Sequence, residues 1–285
     1  MGTKDAYEQQ LESLISHALA EDIGSGDHTT IACIDRDANG TAALHVKEDC
    51  IIAGISVAEK IFHYADKDMT FSRMAMDGDE MKTGGIAFKV TGKVHTILSC
   101  ERLVLNCMQR MSGIATLTNR YMEELKGYKT KLIDTRKSTP NFRLLEKEAV
   151  RIGGGNNHRF GLYDMIMIKD NHIDYAGGIE KAIARANTYI KEKNLSLNIE
   201  VEARSIEDVK TIMKAGKVNR IMLDNFTPGS VSEAVKIIDG KYETEASGGI
   251  TLQNIREYAA TGVTYISSGA LIHQARSVDL SLKAE

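Results

Sequence analysis

The chain has 285 residues, 42% apolar and 26% charged, with 36 basic against 39 acidic side chains. That balance argues against a nucleic-acid surface, which needs a basic excess, and no apolar run approaches the roughly 18 residues of a membrane span. The four cysteines form no C-x-x-C pair and the start MGTKDAYEQQ lacks the order of a secretion signal, so reduced thiols and a cytoplasmic setting are expected.

Leu11, Leu14, Ile15, Ala18 and Leu19 recur at helical spacing and predict a first helix that stops at Ile23-Gly24. Gly24-Ser25-Gly26-Asp27-His28 lacks the third glycine and the preceding strand of a dinucleotide fingerprint, and reads as a turn. Short strands are expected over 40–46 and 87–96, with a helical segment at 57–62 between them. Residues 1–105 therefore read as an α+β domain. A long helical pattern follows from Glu101 to Leu125, with Leu105, Met108, Met111, Ala115 and Met122 apolar. A kink is expected at Ser112-Gly113 and a stop at Gly127.

From residue 131 the rhythm changes. Apolar runs at 131–133, 165–168, 198–201, 220–223 and 263–266, with a less apolar one at 242–246, each end in polar or glycine residues. Those polar ends recur about every 20 to 35 residues, the repeat of strand–helix units in a β/α barrel. The connecting segments fit helices: Thr139 is placed to cap one with Pro140 at its first position and Gly153 after it, and Ile206, Val209, Ile212 and Met213 line another. The fold class expected is α/β, an N-terminal α+β domain plus an incomplete β/α barrel. The barrel takes residues 106–285, with the last residues packing back on the N-terminal domain. In such barrels the site lies where strands end and loops begin.

At those ends sit Arg136, Lys137, His158, Arg159 and Lys169. A chain of net charge −3 has no bulk reason to gather cations there, so they point to a small polyanionic ligand held by oriented donors. Surface salt bridges account for any one of them taken alone, and less well for the set. Glu202 and Asp224 end two later strands. Facing a phosphate site they suggest Mg2+ or ribose hydroxyls, against the plainer role of balancing the cations. Ser247-Gly248-Gly249 and Ser268-Gly269-Ala270 follow the last two strands, where backbone N–H groups and a following helix start favour a phosphate. Gly153-Gly154-Gly155 follows a helix rather than a strand and is not read as a nucleotide loop. His158 and His172 have no partner at zinc-site spacing, so no structural zinc is expected.

DTRKSTP (134–140), GGGNNHRFGLYD (153–164), IKDNHI (168–173), EVEA (200–203), MLDN (222–225), EASGGI (245–250) and SSGAL (267–271) stand in this order, with ERLVLN (101–106) and EDIGSGDHTT (21–30) before them. At these residues the chain resembles the quinolinate phosphoribosyltransferases, also called carboxylating nicotinate-nucleotide pyrophosphorylases, over nearly its whole length. The resemblance implies transfer of a phosphoribosyl group from phosphoribosyl pyrophosphate to quinolinate with loss of CO2, in de novo NAD biosynthesis. It implies a homodimer with shared active sites, open to assembly into a higher oligomer, in which the N-terminal domain of one subunit covers the barrel of the other. Arg102, Arg136, His158, Arg159 and Lys169 would hold the quinolinate carboxylates. Thr135 would join the substrate site. Lys137, Glu202 and Asp224 would carry the catalysis, serving phosphoribosyl pyrophosphate and its Mg2+. The loops Ser247-Gly248-Gly249 and Ser268-Gly269-Ala270 would take the 5′-phosphate. The chain departs from the family pattern at Asn141, where a glycine is usual, at Asn156, in place of a common histidine, and at Ser267-Ser268, where small apolar residues are frequent. Neither a nucleic-acid nor a membrane partner is implied.

Two other classes fit parts of the pattern. A Schiff-base aldolase would use Lys169 at a strand end, although a lysine among other cations beside a phosphate set suits it poorly. A binding or accessory protein on the same barrel would bind without turnover, which leaves Glu202 and Asp224 without a task. A sister transferase acting on nicotinate would need fewer cations.

Overall fold

The structure is a computed structural model that describes residues 4–285. It opens with α1 (Lys4–Ile23), whose Leu11, Ile15 and Leu19 are buried along one face. Gly24 follows at φ +53°, a conformation that ends helices at little cost for glycine. Asp27 caps α2 (His28–Cys33), its carboxylate accepting from the Thr30 N–H at 3.0 Å. Next come β1 (Asn39–Val46), β2 (Cys50–Ile51), α3 (Ile55–Ala65), β3 (Thr70–Arg73), β4 (Glu80–Met81), β5 (Ile86–Lys93) and α4 (Val94–Glu124). The strand expected over 87–96 thus ends at Lys93, and the long helix starts at Val94 rather than Glu101. It runs unbroken through Ser112-Gly113. Ser112 Oγ bonds the Ala53 N–H and carbonyl, and a side chain at Gly113 would stand 2.0 Å from the Arg276 carbonyl oxygen. The small pair serves close approach.

The second half runs β6 (Lys131–Ile133), α5 (Arg143–Ile152), β7 (Ile166–Ile168), α6 (Asp170–Ala176), α7 (Ile179–Lys193), β8 (Ile199–Ala203), α8 (Ile206–Ala215), β9 (Arg220–Asp224), α9 (Pro228–Ile238), β10 (Glu243–Ser247), α10 (Ile255–Ala259), β11 (Tyr265–Ser267), α11 (Ala270–His273) and β12 (Leu280–Ala284). The start of α5 departs from expectation. Asn141 adopts φ +62°, which a helix cannot contain, so the helix begins at Arg143. Thr139 instead donates its N–H and hydroxyl to the buried Glu146 carboxylate at 2.7 and 2.9 Å. A positive φ favours glycine and, after it, asparagine, which explains how Asn141 stands where the family pattern has glycine.

The chain forms two compact units. The first takes the chain up to Asn119, Ser138–Gly154 and Leu271–Glu285. Its antiparallel sheet has the order β12-β1-β5-β3, and Phe62, Phe71 and Phe88 pack together with ring centroids 4.5 to 6.3 Å apart. The second takes Arg120–Lys137 and Gly155–Ala270. Its six strands are all parallel, in the order β6-β11-β10-β9-β8-β7. The last strand β11 returns to pair with β6, while β6 and β7 do not pair, so the barrel is incomplete at that one seam. There the Asn156 backbone adds one parallel bridge to Ile133, with Asn156 N–H to the Leu132 carbonyl at 2.9 Å. The backbone of Asn156 makes that rung, and its side-chain Nδ2 donates to the same Leu132 carbonyl at 3.3 Å, a contact asparagine makes where the family pattern has histidine.

Candidate active site

Parallel strands place their C-terminal ends on one side, and side chains two apart on a strand share a face. Together these rules bring Thr135, Arg136 and Lys137 after β6, Met167 on β7 and Lys169 just after it, Glu202 on β8, Met222 and Asp224 on β9, Glu245 and Ser247 on β10, and Ser267 on β11 into one cavity of 560 Å3. His158, Arg159, Asn225, Gly248 and Gly249 complete its lining.

The cations are held in different ways. Arg159 donates Nη1 to the Met165 carbonyl at 3.1 Å, and burial, then the like charge of Arg136, lower its pKa. The Arg136 Nε is buried without a hydrogen-bond partner among the described residues. Lys137 and Lys169 are exposed; the Lys137 N–H donates to Thr135 Oγ1 at 3.1 Å and the Lys169 N–H to His172 Nδ1 at 3.0 Å. Guanidinium groups set against each other need an anion between or beside them.

The carboxylates face these cations. Glu202 is only 6% exposed, and burial, then the Asp224 and Asp170 charges, raise its pKa against the opposing pull of Lys169. Burial likewise raises Asp224, with Lys169 opposing. Asn225 donates Nδ2 to Asp224 Oδ2 at 2.6 Å. Two desolvated carboxylates that disfavour each other's charge, at the rim of a cationic cavity, suit a divalent cation or sugar hydroxyls.

The floor is charged as well, where barrel interiors are ordinarily packed with branched apolar side chains. His158 Nε2 lies 3.0 Å from Glu200 Oε2 and 3.2 Å from Glu245 Oε2, facing both carboxylates without pointing squarely at either. Nδ1 receives the Arg159 N–H at 2.6 Å. Arg220 Nη1 stands 3.1 Å from Glu245 and 3.9 Å from Glu200, and its guanidinium carbon sits 3.9 Å from the centre of the Tyr265 ring. Burial by itself lowers the His158 pKa, but the two glutamates outweigh it and push it up to about 9. Burial and then Glu245 raise Glu200. Glu245 falls, because His158 overcomes the effect of its burial. These three side chains form a group of metal-ligand type, yet the imidazole already fills the space between the carboxylates and Arg220 supplies further positive charge. The Asp134 carboxylate, fully buried, fixes the loop above by accepting from the His158 N–H at 2.8 Å and from Asn157 Nδ2 at 2.6 Å.

The glycine loops differ from each other. Gly248 has φ +97° and Gly249 φ +60°, and both line the cavity. Behind them α10 begins only at Ile255 and has five residues, and α11, after the second loop, has four. The expected helix-dipole contribution is therefore slight, since so few peptide dipoles align. Ser268 is buried away from the cavity, its hydroxyl donating to the Ile250 carbonyl at 3.2 Å and its N–H to the Ile133 carbonyl at 3.1 Å. Ser267, one residue earlier on the strand, lines the cavity instead. Gly269 and Ala270 are outside the lining. Arg102 is exposed on α4 in the first unit. Reasoning from sequence passed over Glu200, Arg220, Glu245 and Asn225. The first three were signalled by strand alternation, each lying two residues from a neighbour on the same face; Asn225 had only its place beside Asp224.

Two family models match the chain, the quinolinate phosphoribosyl transferase N-terminal domain over residues 27–112 and the C-terminal domain over 114–283. The chloroplastic carboxylating nicotinate-nucleotide pyrophosphorylase of Arabidopsis thaliana is 44% identical over 290 residues, covering 96% of this chain and 83% of that protein. A probable carboxylating nicotinate-nucleotide pyrophosphorylase of Bacillus subtilis (strain 168) is 41% identical over 273 residues, covering 96% and 93%. Among solved structures, NadC from Streptococcus pyogenes matches with a TM-score of 0.90 at 39% identity over 97% of both chains. The nicotinate-nucleotide pyrophosphorylase from Francisella tularensis matches with a TM-score of 0.90 at 38% identity, over 97% of this chain and 96% of that one. With both domains matched in order and relatives above 40% identity across nearly its whole length, the chain belongs to the quinolinate phosphoribosyltransferase family.

Proposed function

We infer that this enzyme transfers the phosphoribosyl group of phosphoribosyl pyrophosphate to quinolinate and releases CO2, giving nicotinate mononucleotide and pyrophosphate for NAD biosynthesis. The observation that carries the reading is the meeting of Arg136, Lys137, Arg159 and Lys169 with Glu202 and Asp224 in one cavity. Arg136, Arg159 and Lys169 supply charge for a diacid, with His158 at the floor beneath them. Lys137 neutralises the departing pyrophosphate. Ser247, Gly248 and Gly249 are placed for the 5′-phosphate, and Ser267 joins them.

The ring nitrogen of quinolinate attacks the anomeric carbon as the bond to pyrophosphate breaks. Positive charge then builds on the ribose, and Glu202 and Asp224 stabilise it directly or through the hydroxyls. The neighbouring carboxylate leaves as CO2, its bonding electron pair staying on the ring carbon beside the positive nitrogen, where a proton takes its place. No protein nucleophile is needed, so positioning and electrostatics carry the rate. Glu202 and Asp224 are also the residues that would hold Mg2+ together with the substrate pyrophosphate, and their raised pKa values, caused by burial and neighbouring carboxylates, fit such a partner. Bound Mg2+ would neutralise leaving-group charge.

The reading extends to a homodimer in which Arg102 of one subunit enters the other's pocket, and to a cytoplasmic setting. Among the described residues no helix is long and apolar enough to cross a membrane, and Cys33, Cys50, Cys100 and Cys107 are free thiols. The test is turnover with phosphoribosyl pyrophosphate and Mg2+, following pyrophosphate and CO2, with quinolinate and nicotinate in parallel. Products from quinolinate alone are expected. Turnover of nicotinate only would move the chain to a sister activity, and silence with both would favour a binding protein.

A further inference from the structure

The charged column under the cavity is out of keeping with a barrel interior. Glu200 and Glu245 are fully buried on neighbouring sides of β9, and Arg220 from that strand offsets one of their charges. The other is met by His158. Both oxygens of Glu200 and the Oε1 of Glu245 lack a conventional hydrogen bond among the described residues. Such an arrangement is costly, and well-packed apolar residues in its place are often as stable or more so. Its presence directly beneath the cavity calls for a task at the site.

We propose that Glu200 and Glu245 are positioning residues for the diacid substrate, clamping the His158 ring at the cavity floor so that Arg159, tied to that ring, is held ready for its carboxylates. The clamp is geometric. The Nε2 edge of the ring is gripped between two carboxylates at 3.0 and 3.2 Å. The opposite edge receives the Arg159 N–H at 2.6 Å, which ties the ring to the backbone of the arginine that follows. Asp134, just after β6, holds the same segment through the His158 N–H and Asn157. Met167 and Met222 line the cavity on the strands beside this floor, leaving the charged contacts to the loop that the clamp secures. The proposal rests on the functional reading above and names residues that act on it through His158.

The test uses the full-length enzyme and its variants Glu200→Gln and Glu245→Gln, with Glu200→Asp as a version that keeps the charge but withdraws it from the ring. Each Gln variant is expected to raise the quinolinate KM by about tenfold, the scale seen when partners behind a functional histidine are removed. The KM for phosphoribosyl pyrophosphate should stay within about twofold, because the coupling is to His158. Glu200→Asp should fall between. Combining Glu200→Gln with His158→Asn should lose little beyond His158→Asn alone, since the two act as one unit. Ring 15N signals of His158 in the free protein should move in both Gln variants. Unmoved ring signals, an unchanged quinolinate KM, or fully additive losses would each overturn the proposal. If the unaltered enzyme does not turn over quinolinate, the functional reading fails instead, and the ring signals alone decide the clamp.

Discussion

Gly248 lies so close to Asn225 that a methyl group on it would stand 2.2 Å from the Asn225 amide oxygen. Asn225 in turn donates its amide to Asp224 at 2.6 Å and its backbone N–H to the Ser247 carbonyl at 2.8 Å. The bare glycine is therefore what lets the β9 and β10 ends close together with Asp224 correctly turned. Gly248→Ala brings a clash with Asn225 and a side chain at φ +97°, a strain of about 1–3 kcal/mol. Turnover should fall at least about tenfold as Asp224 is displaced. Near-normal turnover in this variant would show that the contact is not needed.

Glu202 carries a raised pKa, chiefly because it is buried, with Asp224 and Asp170 adding to the effect. A carboxyl group with a folded pKa above its unfolded one contributes stability that is whole at low pH and lost as pH rises through the folded value. At neutral pH its charge is therefore a burden on the fold. Glu202→Gln removes that burden and should raise the melting temperature at pH 7 while abolishing most turnover. Thermal denaturation of both proteins, alone and with Mg2+ and phosphoribosyl pyrophosphate, reads this directly. A lower melting temperature for the variant would mean that Glu202 stabilises the fold.

Much of this site was legible from sequence, because the strand ends of a parallel barrel meet on one side. Arg136, Lys137, Lys169, Glu202, Asp224 and Ser247 follow from that rule and line the cavity, whereas Arg159 reaches it from the segment between α5 and β7, beyond the Asn156 bridge. What escaped depended on one-residue register or on loop conformation. Ser267 faces inward rather than Ser268, and only strand pairing fixes that alternation. The start of α5 moved because Asn141 turns left-handed, which the sequence Thr139-Pro140 does not announce. The buried clamp was hidden because glutamates at 200 and 245 look like ordinary surface residues until both faces of β8 and β10 are known to be covered.

Arg136 has a buried Nε with no partner among the described residues, and an unanswered donor of that kind waits for an anion. Arg136→Ala should raise the quinolinate KM or lower kcat by about a hundredfold, in the range for losing one partner of a desolvated charge pair. Arg136→Lys should recover only part of this, because a lysine cannot reproduce the planar fork. Steady-state kinetics with varied quinolinate distinguish the three proteins. Full recovery by lysine would reduce the role of Arg136 to point charge.

His158 is pushed up to about 9 from 6.5 because Glu200 and Glu245 outweigh its burial. A histidine raised in this way gives stability that is whole below 6.5 and lost as pH climbs through about 9. The melting temperature of the unaltered enzyme should therefore drop across that window, and the His158 ring 15N signals should titrate through it. The ring itself is followed because removing it would also raise Glu200 and Glu245, whose pKa values His158 lowers. Signals of a neutral ring at every pH, with Nδ1 accepting the Arg159 N–H, would show that His158 is not charged in the folded state.

Arg102 is exposed on α4. An exposed arginine within the ERLVLN segment has a use if a second subunit presents its cavity to it, which is the shared-site dimer proposed above. Arg102→Ala should then lose quinolinate turnover as severely as a change inside the cavity. Mixing it with Glu202→Gln, each inactive alone, should restore activity: one of the two sites in a mixed dimer then receives an intact Arg102 and an intact Glu202. Random exchange at equal amounts gives about half of all dimers in mixed form with one good site each, so recovery should approach about a quarter of the unaltered rate. Subunit exchange is verified separately with two affinity tags. No recovery despite verified exchange would place Arg102 at the site of its own chain or outside the site altogether, and the dimer would lose its catalytic reason.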